Sequence, residues 1–223
     1  MPGESIFANR DPLDIDNVLF KIEASFNFRF GDNELKDVRT FGELCDAILQ
    51  KLQLPDGVDC TTQQAFYKLR AVCCETMGVR GEAIVPSTRL NDMFPRATRR
   101  KNIQMVETIL GVSIKILRPK HWLSRTLVIM LLFSLFALYF EPKFGILTLL
   151  FSLAGLYVSS KLGREFEIET VADLVRKMTR ENYLKSRRSP ITVNKKEVVA
   201  QVQNLFAFEL GIDREAFGPE TKF

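Results

Sequence analysis

The sequence predicts a mainly α fold, with helical segments flanking a two-helix apolar hairpin and a few short strands. Three observations lead there. Two charge-free apolar runs, 127–140 and 145–158, stand side by side late in the chain. A short pattern of residues occurs once before this pair and again after it. Apolar residues recur at helical spacing over about 62–77 and 195–210.

The apolar pair reads as a transmembrane hairpin. The runs LVIMLLFSLFALYF and GILTLLFSLAGLYV are separated by Glu141-Pro142-Lys143-Phe144, a polar turn with a helix-breaking proline. A bilayer core about 30 Å thick needs roughly 20 helical residues, so both runs must extend. The first reaches back to Trp122, with Arg125 snorkelling to the headgroups, and the second runs through Ser160. Trp122, Tyr139 and Tyr157 fall near the ends, where aromatic residues anchor a span. A hairpin buried in a large soluble core is the competing reading; runs that are apolar on every face speak against it. Lys115, Arg118, Lys120 and Arg125 precede the first run and Lys161 and Arg164 follow the second, whereas the turn holds only Lys143 beside Glu141. The basic bias places both termini in the cytoplasm. The N-terminal MPGESIFANRDPLDID is not a secretion signal, because no apolar run follows a basic start.

The repeat has two parts. Asp37-Val38-Arg39-Thr40-Phe41-Gly42-Glu43-Leu44 matches Glu167-Ile168-Glu169-Thr170-Val171-Ala172-Asp173-Leu174. Thr40 and Thr170 each have an acid three residues on, the form of a capping box. Further along, the stretch from Gly78 to Leu90 matches the stretch from Gly211 to Phe223, each following one of the amphipathic helices. Phe66, Leu69, Val72 and Cys73 mark the apolar face of the first helix; Val198, Val202, Leu205, Phe206 and Leu210 mark that of the second. Asn194 and Thr61 or Thr62 suit their N-caps. The unit is thus a short Thr-capped helix, a linker, a longer helix, and a loop with Gly and Pro. A fragment of about 60 residues is marginal alone, so the two copies are expected to pack together.

The run Leu210-Gly211-Ile212-Asp213-Arg214-Glu215 through Phe223, and more loosely Met77-Gly78 through Leu90, resembles the first helix and following loop of acyl carrier proteins. The Thr170-Val171-Ala172-Asp173-Leu174-Val175 segment resembles the last helix of that fold, in rearranged order. With Phe94-Pro95-Arg96-Ala97-Thr98-Arg99-Arg100 and Leu117-Arg118-Pro119-Lys120, the chain is similar over roughly 26–223 to a group of bacterial membrane proteins of unknown function. The resemblance implies two acyl-carrier-like helical segments and a bacterial inner-membrane location. Working carriers attach phosphopantetheine to a serine in an Asp-Ser-Leu motif. This chain reads Asn91-Asp92-Met93 at that place, and Ser87 lies in the preceding loop. No prosthetic group is expected, since fold does not determine function.

Composition narrows the chemistry further. The net charge of +4 is too small to argue for nucleic acid. Cys45, Cys60, Cys73 and Cys74 form no CxxC pair and His121 is the only histidine, which disfavours zinc. The cysteines read as buried small apolar residues in a reducing compartment, with a redox role as the alternative. His121 beside Trp122 reads as an interfacial anchor rather than a general base, because no set of nucleophile and orienting carboxylate surrounds it. No phosphate-binding Gly loop is present. The pairs Asp14 with Asp16 and Asp32 with Glu34 read as solvated surface. Arg96, Arg99, Arg100 and Lys101 open a helix that continues through Ile103, Val106 and Leu110, and 112–116 then alternates like a strand. Anionic lipid is one partner for that basic cluster and an acidic protein the other. Lys185, Arg187 and Arg188 read as a solvated, flexible linker.

The expected organisation is an N-terminal arm over 1–24, a cytoplasmic helical domain over 25–121, the hairpin over 122–160 and a second cytoplasmic segment over 161–223. Trp122, Arg125, Lys161 and Arg164 are the expected membrane-interface residues. Arg96, Arg99, Arg100, Lys101, Lys115, Arg118 and Lys120 are candidates for lipid or partner contacts. Catalytic, cofactor-binding and metal-binding residues are expected to be absent. The functional expectation is a membrane-anchored, non-enzymatic protein-interaction module of scaffold or immunity type. Its partners would be membrane lipid and a protein, not nucleic acid. A carrier-like accessory protein in acyl-chain or lipid metabolism is the alternative, and a membrane enzyme with an unrecognised site is a third. The small residues Gly145, Ala154 and Gly155 permit close packing within one chain or between chains, so the oligomeric state stays open.

Overall fold

A computed structural model describes residues 11–57, 59–188 and 191–222. It is mainly helical, with one two-stranded sheet among the described residues. The chain divides into two compact units. One is drawn from 1–86, 106–114 and 171–223, the other from 87–105 and 115–170. Residues 87–105 and 115–121 thus group with the hairpin rather than with the rest of 25–121.

The first unit opens with α1 (Pro12–Phe26). Asp11 caps it by accepting the Leu13 N–H at 3.0 Å, and Pro12 takes the first helical position, where a missing N–H costs nothing. Val18, Ile22, Ser25 and Phe26 form its buried stripe. The expected arm over 1–24 is therefore corrected: residues 1–10 lie outside the described residues, and most of the remainder is a core helix. The short helix α2 (Phe41–Leu52) begins at Thr40, and a capping box is present. Thr40 Oγ1 accepts from the Glu43 N–H at 3.3 Å, and Glu43 Oε2 accepts from the Thr40 N–H at 3.0 Å. Bonds from the Arg39 and Thr40 N–H groups hold the Glu43 carboxyl below its ordinary value.

The longer helix α3 (Thr61–Met77) ends at Gly78, whose φ of 65° is the left-handed cap that glycine adopts without strain. Beyond the other unit come α8 (Val171–Glu181), α9 (Tyr183–Ser186) and α10 (Lys195–Leu210). The last of these ends on Gly211 at φ 62°. The matched glycines of the repeat thus serve one conformational purpose, and Asn194 caps α10 through the Glu197 N–H at 3.1 Å.

The two repeats exchange their short helices. The short helix α8 of the second repeat packs against α3 of the first, and α2 of the first packs against α10 of the second. Buried Ala65, Leu69, Val72 and Cys73 lie on α3, and Val171, Leu174, Val175 and Met178 on α8. On the other side, Phe41, Phe206 and Phe217 form a ring triad with centroids 5.6–5.7 Å apart. The backbone repeats the exchange. Phe41 N–H donates to Thr221 O at 2.8 Å and Gly42 N–H to Pro219 O at 2.9 Å; Ala172 N–H donates to Pro86 O at 2.8 Å. Helix α1 packs on α10, α8 and α9, and Phe26 meets Tyr183 at 4.9 Å between ring centroids.

The second unit contains α4 (Leu90–Met93), the start of α5 (Arg99–Leu110), and the hairpin α6 (His121–Phe140) and α7 (Pro142–Leu162). The strand β1 (Leu117–Arg118) pairs antiparallel with β2 (Glu165–Phe166) at the hairpin's open end. The strand-like run 112–116 is not in a strand, although Val112, Ile114 and Ile116 are buried in alternation with exposed Ser113 and Lys115. Pro142 begins α7 instead of interrupting a turn, so only Glu141 separates the helices.

Both helices are long and apolar enough to cross a membrane, at about 30 Å each. Only 17% and 11% of their most apolar windows are buried, which disfavours the reading as the core of a soluble domain. The helices meet through small residues. Ser134, Ala137, Gly145, Ser152 and Ser159 are buried, while Phe136, Phe140, Leu147 and Phe151 face outward. A Cβ on Gly145 would lie 2.6 Å from the Leu138 backbone nitrogen, and one on Gly155 would lie 2.8 Å from Leu127 Cδ2. The contact is therefore closer than any larger residue at these positions permits.

Candidate interaction groove and membrane-edge site

In the first unit, a groove of about 610 Å³ runs between α3, the 84–86 loop and α8. Its floor and walls include Phe66, Ile84, Val85 and Val175; Tyr67 and Val85 are exposed at its rim. Arg70 lies over the Phe66 and Tyr67 rings, at 5.8 and 5.2 Å from their centroids. Arg176 lines the opposite side, paired with Asp173 at 2.8 Å. With Arg176 compensated by Asp173, Arg70 leaves the trough cationic on one side, which suits an apolar segment that also carries negative charge. Sequence reasoning treated the Phe66 face as core alone. The exposed Tyr67 one residue on, at 50%, marks where that face turns outward.

Beside α3 lies a buried polar cluster. The Arg187 side chain is fully buried. Its Nη1 donates to Thr61 Oγ1 at 2.7 Å, and the Glu197 carboxylate is 4.0 Å away. Thr61 Oγ1 donates to Glu197 Oε2 at 2.6 Å, and the Thr61 N–H donates to both Glu197 oxygens at 3.1 and 3.0 Å. Tyr183 Oη also donates to Glu197, at 3.3 Å, and burial pushes its phenol up. Glu197 therefore caps α3 from α10, since Cys60 at the N-cap offers no side-chain bond. The reverse contact exists too, because Asp56 accepts the Lys195 N–H at 3.0 Å at the start of α10. This corrects the reading of Lys185, Arg187 and Arg188 as a solvated linker. Lys185 and Arg188 are exposed, but Arg187 is central to the unit.

The cysteines divide as well. Cys45 and Cys73 are buried, and burial pushes both thiols up to about 12, too high to supply a thiolate near neutrality. Cys60 departs from the expectation of four buried cysteines, because it is exposed at the groove's edge. Among the described residues, no three of His, Cys, Asp and Glu gather as a metal would require. Asp14 and Asp16 belong to α1 and are both exposed, while Glu34 pairs with Lys51 at 2.8 Å, and that lysine holds its carboxyl low.

The expected basic residues of the second unit have different fates. Arg99 is buried. It donates to Phe94 O at 3.1 Å, Arg164 O at 2.5 Å and Asn91 Oδ1 at 2.7 Å, and stacks 4.3 Å over the Phe166 ring. Burial lowers its pKa. It therefore ties 91–99 to the segment after the hairpin and does not face a ligand. Arg100 is half-buried, with Nη1 enclosed and lacking a hydrogen-bond partner. Arg96 pairs with Glu165 at 2.8 Å, and Arg118 pairs with Glu167. Lys101, Lys115, Lys120 and Arg125 are exposed, as are Trp122 and Arg164. Lys161 lies 5.8 Å over the Tyr157 ring. Of these, Arg96, Lys120, Trp122 and Arg125 come together with His121 around a cavity of about 740 Å³.

Comparison with known proteins finds no family model, no curated protein and no solved structure that matches this chain.

Proposed function

We propose that the protein is a membrane-anchored, non-enzymatic interaction module whose α3–α8 groove receives an apolar, acid-flanked segment of a protein partner. The groove itself carries this reading. It is apolar within, flanked by Arg70 and Arg176, and one of its walls is α3, whose start is held by a buried polar cluster. Such rigidity preorganises a binding surface and lowers the ordering cost of association. Anchoring rests on two helices with outward apolar faces. Both flanks of the hairpin contribute to one compact unit, so both emerge on one side of the bilayer. The basic residues at the hairpin's open end support assigning that side to the cytoplasm, and the resemblance to bacterial membrane proteins supports an inner-membrane location.

The test is site-specific photocrosslinking at Tyr67 in native membranes. The expected result is one protein adduct that Arg70→Glu removes while the fold survives. Adducts with lipid and the chain itself alone would sink the reading. The apolar groove also suits the alternative of a carrier-like accessory protein in acyl-chain metabolism. Met93, 6% exposed, stands where a carrier's serine would follow Asp92. An intact mass raised by one phosphopantetheine would favour that alternative in its full carrier form.

A further inference from the structure

The open end of the hairpin carries a second groove next to the basic cavity. It holds about 460 Å³ and is lined by Leu123 and Leu127 of α6 and by Phe151, Gly155, Ser159 and Leu162 of α7. Along α7 this stretch measures about 16 Å, close to half the hydrocarbon thickness of a bilayer. Lys120, Arg96 and Glu165 line both hollows, so the apolar groove and the basic cavity adjoin.

Three independent features point to a ligand. First, Arg96 and Glu165 neutralise each other at 2.8 Å, whereas Lys120 and Arg125 have no ion-pair partner among the described residues. The cavity is therefore net cationic beside His121 and Trp122. Second, α6 begins there, and Lys120 at its N-cap supplies no side-chain bond, so first-turn N–H groups add to the positive field. Third, Ser159 is 8% exposed and its hydroxyl is enclosed without a hydrogen-bond partner. Every other serine and threonine of the two helices donates to a carbonyl of its own helix or the residue before it: Ser124, Thr126 and Ser134 on α6, and Thr148, Ser152 and Ser160 on α7. A buried hydroxyl left unpaired costs free energy that an incoming acceptor recovers.

We infer that this end of the hairpin binds one anionic glycerophospholipid. The phosphate lies against Lys120, Arg125 and the start of α6, an acyl chain lies in the α6–α7 groove, and Ser159 donates to an ester carbonyl. An acidic peptide would account for the cations but not for an apolar groove continuous with a bilayer-facing surface. The inference rests on the membrane anchoring proposed above.

The experiment is native mass spectrometry of the full chain in mild detergent, with phosphatidylglycerol and phosphatidylcholine of identical acyl chains. One retained phosphatidylglycerol per chain is expected, with about tenfold preference over phosphatidylcholine. Lys120→Glu with Arg125→Glu brings the two lipids to parity, whereas Lys120→Arg with Arg125→Lys keeps the preference. Ser159→Ala weakens retention of both lipids alike. Equal binding by the unaltered chain, or a preference that survives charge reversal, overturns the inference. So does soluble glycerol phosphate binding as tightly as the lipid, which would make this a phosphate site only. Alkaline carbonate extraction separates the two failures: a chain released from membranes refutes anchoring itself, while a retained chain without lipid preference refutes only the lipid site.

Discussion

Phe26, Phe41, Phe206 and Phe217 of the helical unit are at most 1% exposed, whereas Phe133, Phe136, Phe140, Phe144 and Phe151 of the hairpin are at least 53% exposed. These phenylalanines face inward in one unit and outward on the hairpin of the other. The polar side chains are used in the opposite sense. In the helical unit, Thr61, Tyr183, Arg187 and Glu197 join three helices through long-range bonds. In the hairpin, the hydroxyls of Ser134, Thr148 and Ser152 bond back to their own helices, and small residues let the helices close on each other, with Leu127 against Gly155 and Leu138 against Gly145. Water drives the first arrangement by expelling apolar surface. Where the surroundings are themselves apolar that force is absent, and close packing takes its place.

The largest expected break in this contrast is Phe206→Ala. It opens a cavity in the ring triad and should cost about 3–5 kcal/mol. Phe136→Ala, on the outer face of α6, should leave stability in detergent or bilayer unchanged. Urea titration followed by far-ultraviolet circular dichroism measures both, and equal losses would contradict the inside-out comparison. Arg187→Ala should cost about 2–3 kcal/mol, because it strips a charge-assisted bond from a buried cluster. A double-mutant cycle with Glu197→Gln should show coupling between the two, and independent effects would mean that the cluster does not act as one. Gly145→Val should cost about 2 kcal/mol by forcing the hairpin helices apart. The loss should appear as a lengthened distance between spin labels on α6 and α7, with the helical unit's own transition unmoved.

The smallest effect at neutral pH concerns the thiols. Burial raises Cys45 and Cys73 from the ordinary 9.0 to about 12. The native state therefore holds their protons more tightly than the unfolded chain does. Their contribution is fully present below pH 9 and is lost as pH rises toward 12. Stability should be flat from pH 7 to 9 and fall above it. At pH 8, iodoacetamide should modify exposed Cys60 well ahead of both, as peptide mass mapping would reveal. Equal labelling of all three would mean that the core opens readily.

Much of the local structure was legible. Helix α10 spans the residues its periodicity marked, α3 begins one residue before the expected start, and Thr40 caps α2 through the box its spacing suggested. Helix α1 opens on the start signal Asp11-Pro12, but the acidic Asp14 and Asp16 of its first turns mask the apolar stripe that follows. Arg99 and Arg187 could not be told from their exposed neighbours. A basic residue reads alike whether it faces water or a ring of carbonyls and hydroxyls, and only its distant partners distinguish the two.

The sequence by itself determined most of the longer helices, the caps of α2 and α10, the apolar character of the hairpin and the existence of two copies of one pattern. These follow from spacing and side-chain type within a dozen residues. Only the tertiary structure decided that the copies exchange short helices, that Glu197 and Asp56 cap helices of the other repeat, and that Ser159 alone among the hairpin's small hydroxyls is left unpaired. Those outcomes depend on pairs more than a hundred residues apart, or on how two helices turn toward each other, and no local pattern encodes either.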